Sequence, residues 1–185
     1  MDKHQMLKNA KAHFGVVMRH KMEVMKGCFK VGLYWQGLVH DLSKFSPSEF
    51  CIGIYYFQGG KRSPNAAERE LKGGSTAWMH HKGRNKHHYE YWMDAAPDKS
   101  GYICQDMPRK YFVEMIMDRI AASKTYKGKD YNDAVPLEYL QLGFDKKVMN
   151  PKTYKRLENF FIMLKEQGED YTFEYIRKNL LNKRK

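Results

Sequence analysis

Apolar side chains recur at spacings of three and four along the first thirty residues. Leu7, Phe14, Val17, Met18, Met22 and Met25 make up most of this series, the periodicity of an amphipathic helix resting on a core. The pattern predicts a helix over residues 4–31, with Gly27 and Gly32 marking a kink or break before the short apolar stretch VGLYWQGLVHDL. Ser46-Pro47 then reads as an N-cap and first helical residue, a place where proline's missing N–H is not needed. The helix it opens should run to about Phe57.

Residues 58–76, QGGKRSPNAAERELKGGST, are loop-like, with paired glycines flanking the helix-prone NAAEREL. The next stretch, AWMHHKGRNKHHYEYWM, is helical in tendency but interrupted at Gly83. Residues 95–107 read as a connection. Pro108 opens a helix, RKYFVEMIMDRIAASKTY, that should end near Lys127-Gly128. Three more helices are expected at 135–142, 151–167 and 170–181, with Gly168 as a stop between the last two. No segment sustains a period of two and no internal repeat is visible. The expectation is an all-α fold, a single helical bundle spanning residues 1–185.

Composition adds limits. A chain of 185 residues with 42% hydrophobic and 14% aromatic content is too apolar for a disordered protein and suits one core. No run approaches the roughly 18 apolar residues that would cross a membrane. The polar start MDKHQMLKNAKAHF lacks a signal-peptide apolar region, so a cytoplasmic protein with no membrane partner is expected. Cys28, Cys51 and Cys104 form no CxxC pair, which argues against a disulfide framework and against a thiolate metal site. The formal net charge is +12 and favours anionic partners. Residues 177–185 hold five of the 33 basic residues and no acid, so the rest carries 28 − 21 = +7. Phosphate-containing small molecules fit that balance, and nucleic acid also does.

Candidate chemistry is concentrated in the histidines. Six of the eight, His20, His40 and the doublets His80-His81 and His87-His88, stand in suggestive company. In HHKGRNKHH each histidine has a partner seven positions on. A continuous helix would place His80 with His87 and His81 with His88 on shared faces, while a turn at Gly83 would bring the doublets closer still. Four imidazoles so crowded must be kept neutral, and a metal ion does that directly. Asp118 sits among Met115, Ile116, Met117, Ile120 and Ala121, and a carboxylate on such a face needs a partner. Each residue alone has a plainer account. His20 could be solvated, His40-Asp41 could be a helix end with its cap, and Asp118 could pair with a nearby base. Trp78, Tyr89, Tyr91 and Trp92 read as core rather than as stacking platforms, and His4 and His13 as solvent-facing or packing residues.

In order along the chain these residues run His20, then His40-Asp41, then the doublets, then Asp118. That order resembles the HD-domain superfamily of metal-dependent phosphohydrolases, whose ligands run H…HD…H…H…D along a helical bundle. A closer similarity is to a small bacterial and phage family of unknown function whose members carry RHK, HDxSKF, WxHHxxRNxHHxxxW and a late EMxxD element. The resemblance covers roughly residues 15–125. It implies a first metal held by His20, His40, Asp41 and Asp118, and a second bridged by Asp41 and held by one histidine of each doublet, the other lying behind it or touching substrate. The cations would be one or two of Mn, Mg, Co, Zn or Fe. Asp41, Lys44 and Arg84 are the expected catalytic residues, the last two as phosphate contacts, with Lys86 and Arg119 of similar standing. No GYP triplet follows HHYE, so cyclic-dinucleotide hydrolysis is not implied. The resemblance points to hydrolysis of a nucleotide or related phosphate ester. Two alternatives stay open: an HD-type di-iron oxygenase, and a basic module binding nucleic acid or protein with a structural metal.

Overall fold

Helix α1 (Lys3–Val31) starts where the Asp2 carboxylate accepts a 2.7 Å hydrogen bond from the Gln5 amide, and stops at Gly32, whose φ of 89° is left-handed. These coordinates belong to a computed structural model that describes residues 1–181. No break occurs at Gly27. A side chain there would put its Cβ 2.9 Å from Met117 Sδ, so this glycine serves close approach of two helices rather than a kink. The buried stripe of α1 also differs from the apolar series in the sequence. It runs Asn9, His13, Val17, His20, Val24, Gly27, Cys28 and Val31, while Leu7, Phe14 and Met22 are exposed. Polar partners set this rotation. The Asn9 amide donates to the Ile54 carbonyl, and His20 meets Asp118.

The chain continues through α2 (Tyr34–Val39), a 3-10 turn (Leu42–Phe45), α3 (Pro47–Tyr55), α4 (Pro64–Lys72) and α5 (Thr76–Lys82). Pro47 and Pro64 occupy first turns as proline should. After a 3-10 turn at Tyr89–Trp92 comes a short antiparallel hairpin, β1 (Met93–Ala95) with β2 (Tyr102–Cys104), in the register Met93 to Cys104. The sequence reading missed it, because three-residue strands are too short to display alternation. Then follow α6 (Arg109–Lys127), a 3-10 turn (Gly128–Asp130), α7 (Val135–Gln141), the unforeseen α8 (Phe144–Val148) and α9 (Pro151–Ile176). Gly168 interrupts α9 with φ 79° and ψ 174°, so the stop expected there is real although the helix resumes at once. The fold is all-α apart from the hairpin.

Helix α6 is the axis of the core. Its Phe112, Val113, Met115, Ile116 and Met117 are all at most 1% exposed and pack with Val24 and Cys28 of α1 and with Leu157, Phe161 and Leu164 of α9. Burying one such large side chain contributes about 1.5–3 kcal/mol. The C-terminal helices share this core with residues 15–125. Toward the N-terminal end of the same α1 stripe, at Asn9 and His13, α3 packs against α1, and it also contacts α4 and α5. Cys28 and Cys104 are buried and Cys51 is exposed, all three as free thiols. No helix among the described residues is long and apolar enough to cross a membrane. Of the basic tail, residues 182–185 lie outside the described residues.

Candidate metal centre

Four parts of the fold deliver side chains to one buried place. α1 brings His20, the end of α2 brings His40 and Asp41, α5 and the turns after it bring His81, His87 and His88, and α6 brings Asp118. Asp41 is the pivot, 2% exposed, with a left-handed backbone at φ 53°. Lys21 holds this corner in place by donating to the carbonyls of Leu38, at 2.8 Å, and His40, at 2.9 Å. Its role accounts for the lysine in the Arg19-His20-Lys21 triplet.

The two carboxylate oxygens of Asp41 face different neighbours. Oδ2 lies 3.7 Å from His20 Nε2 and 3.2 Å from His40 Nε2. Asp118 Oδ1 completes that group at 2.9 Å from His20 Nε2 and 3.4 Å from His40 Nε2. Oδ1 of Asp41 instead meets His81 Nε2 at 3.3 Å and His87 Nε2 at 3.4 Å, and His88 joins this second group. Within each set of four, one donor atom per residue lies within 4.8 Å of all the others. These contacts are close but lack hydrogen-bond geometry. Both Asp41 oxygens and the Nε2 atoms of His20, His40, His87 and His88 are buried and form no hydrogen bond among the described residues, although Oδ2 has Lys44 Nζ in ion-pair contact. A buried polar atom left so costs about 1–3 kcal/mol. A pair of cations, one for each face of Asp41, would satisfy all six, so the donor sets fit a binuclear centre.

Charge within the cluster is strongly coupled. Burial favours neutral Asp41, but His40, Lys44 and His81 outweigh it and hold the carboxyl well below its usual range. Asp118 is likewise held low, against its burial, by the adjacent His20 and His40 imidazoles. For His40, burial opposes the charge, yet Asp41, Asp118 and Glu114 hold the imidazole well above its usual range. His88 goes the other way, lowered first by burial and then by His87 and His81. Lys44 Nζ sits 2.6 Å from Asp41 Oδ2. Lys44 therefore lies at the cluster, as the sequence suggested.

Behind the sets lies a layer of carboxylates. The Nδ1–H groups of His80 and His81 both donate to Glu49, each at 2.7 Å. Those of His40 and His87 both face Glu114 Oε1, at 3.0 and 3.1 Å. Each such bond fixes the tautomer that leaves Nε2 free to ligate. The first doublet therefore splits, His81 entering the cluster and His80 standing outside it against Glu49. The second doublet does not split, since both His87 and His88 lie within the cluster. The continuous-helix alternative also fails. α5 ends at Lys82, and turns held by the Arg84 and Asn85 amides on the His81 carbonyl fold the chain back. The Asn85 side chain locks that return by donating to Ser43 Oγ and to the His81 carbonyl, both at 2.8 Å.

The structure does not place Arg84 as a phosphate contact. It is exposed, its guanidinium donates to the His80 carbonyl at 3.4 Å, and it makes no hydrogen bond to the cluster among the described residues. Lys86 lies over the Tyr91 and Tyr111 rings, and Arg119 pairs with Asp145. Trp78 packs against His81 and His88, and Tyr89 is core. His13 is a packing residue between Phe50 and Phe57.

Sequence reasoning missed Glu49 and Glu114 as partners of the histidines. Glu114 left a signal, four positions before Asp118 and hence on the same helical face. Glu49 left none, because an acid in the first turn of a helix reads as a complement to the helix dipole. No curated protein and no solved structure matches the chain. A family profile does match, over residues 9–163, and the chain belongs to that family, DUF5662, a family of unknown function.

Proposed function

We propose that this protein is a metal-dependent phosphohydrolase of the HD-domain type, acting on a nucleotide or a related phosphate ester. One observation carries the reading: the two oxygens of a single buried aspartate face two separate histidine sets, in which the Nε2 atoms of His20, His40, His87 and His88 form no hydrogen bond among the described residues. Imidazole and carboxylate donors in these proportions suit manganese, iron, cobalt or zinc, and suit all-oxygen-seeking magnesium less well. Bound there, divalent cations would supply Lewis acidity toward phosphate oxygens and bring the pKa of a water molecule toward neutrality. The chain's own residues do the rest. Asp41 fixes the spacing of the sets, and Glu49 and Glu114 hold the imidazoles in the ligating tautomer. Lys44, now on Asp41 Oδ2, is the side-chain cation at hand for a phosphate oxygen, a task the exposed Arg84 does not share. The basic net charge would draw an anionic substrate in.

The test begins with metal analysis of protein purified without chelators, followed by phosphate release from nucleotides and simple phosphate esters with manganese, cobalt or magnesium. Two equivalents of metal with turnover are expected. Asp41→Asn keeps the side chain's size but cannot present two anionic oxygens, and should cut turnover by about a thousandfold or more. Iron with oxygen uptake and no phosphate release would replace the proposal with an oxygenase. Salt-steep nucleic-acid binding without turnover would replace it with a binding module.

A further inference from the structure

We infer that Glu114 is a positioning residue common to both cation sets, a single carboxylate oxygen that holds one ligand histidine of each. This inference rests on the metal-binding reading above and goes beyond it. Glu114 Oε1 lies 3.0 Å from His40 Nδ1 and 3.1 Å from His87 Nδ1. The two rings are nearly in contact, with centroids 4.4 Å apart. Both are at most 2% exposed. Each presents its far nitrogen, Nε2, to a different oxygen of Asp41. Asp41 thus joins the sets at the front and Glu114 joins them at the back. A carboxylate behind an imidazole sets its tautomer, fixes its tilt and raises its basicity, and losing one typically weakens metal binding 10–100-fold. Here that effect applies to two ligands at once. Glu49 supplies the contrast, since the histidine it backs inside the cluster, His81, belongs only to the second set.

The two carboxylates therefore make different predictions, which can be read one set at a time. His20→Ala leaves the second set as the complete one, and His88→Ala leaves the first. In each background Co(II) is titrated and its visible ligand-field absorption followed. Adding Glu114→Gln should weaken Co(II) binding by roughly 10–100-fold in both backgrounds. Adding Glu49→Gln should do so only in the His20→Ala background. Glu114→Asp, a methylene short of reaching both rings, should behave like Glu114→Gln. Weakening in one background alone, or in neither, overturns the inference while leaving the metal reading intact. Failure of the unsubstituted protein to bind Co(II) overturns the metal reading, and the inference falls with it. A measurement that needs no change at Glu114 is the proton NMR of the two Nδ1–H groups. Zn(II) added to the His88→Ala protein should move the His87 resonance as well as that of His40, and a stationary His87 signal overturns the shared role.

Discussion

His20, His40 and Asp118 reach one face of Asp41 from α1, the end of α2 and α6, whereas His81, His87 and His88 reach the other face from a stretch of chain between residues 81 and 88. The first set exists only once α1 has docked on α6, so its geometry depends on tertiary packing. The second takes its three histidines from one turn, held by Asn85 on Ser43, and has Asp41 as its distant ligand. A cation bound by the first set rewards the whole fold. One bound by the second rewards a local structure that the unfolded chain can partly imitate, and binding to the unfolded state subtracts from stabilisation.

The largest expected effect follows from that asymmetry. Saturating His88→Ala with Zn(II) at about 100 times its Kd should stabilise the fold by about 2.7 kcal/mol. For a domain of this size that is a rise in Tm of roughly 5–10 °C by calorimetry. His20→Ala, saturated equally, should gain less than half as much, and equal gains would erase the distinction between the sets. Next in size is Gly27→Val. Its side chain meets Met117 and should cost about 1–3 kcal/mol in denaturant unfolding, as overpacking does. It should also weaken Co(II) binding by His88→Ala more than by His20→Ala. The smallest effect concerns acid. Burial, then nearby Lys44, lowers the His13 pKa to about 4 in the fold, against about 6.5 in an unfolded chain. Between those values the unfolded state binds the proton that the folded state refuses, so stability present above pH 6.5 drains away as pH falls toward 4. Denaturant unfolding at pH 7 and pH 5 should show His13→Leu losing less than the parent chain, by on the order of 1 kcal/mol. Because His13 docks the same stripe of α1 as His20, the assembled set should fail first on acidification.

These residues also show what the sequence could reveal. The doublets were legible because imidazoles are scarce and crowd without reason only rarely. Asp118 was legible because its neighbours are apolar. The rotation of α1 was not, since its buried stripe carries Asn9, His13 and His20 in place of aliphatic residues, and a periodicity argument weighs such residues as surface. Glu49 and Glu114 stayed hidden for a related reason. A glutamate in a helix reads as solvated until something shows what lies against it, and here that is an imidazole supplied by a distant segment. That His81 enters the cluster without His80, while His87 and His88 both enter it, was decided by the fold-back after Gly83, a feature of tertiary structure with no periodic trace.

The left-handed backbone of Asp41 has one last implication. Asparagine and glycine tolerate that conformation readily and aspartate nearly so, which means the shape of the corner and the charge it carries are separable demands. A chain freed from the need for an acid there could relax to glycine and hold its corner at less conformational expense. On the metal-binding proposal, aspartate at this spot is what a pair of cation sets would retain at the cost of its scaffold.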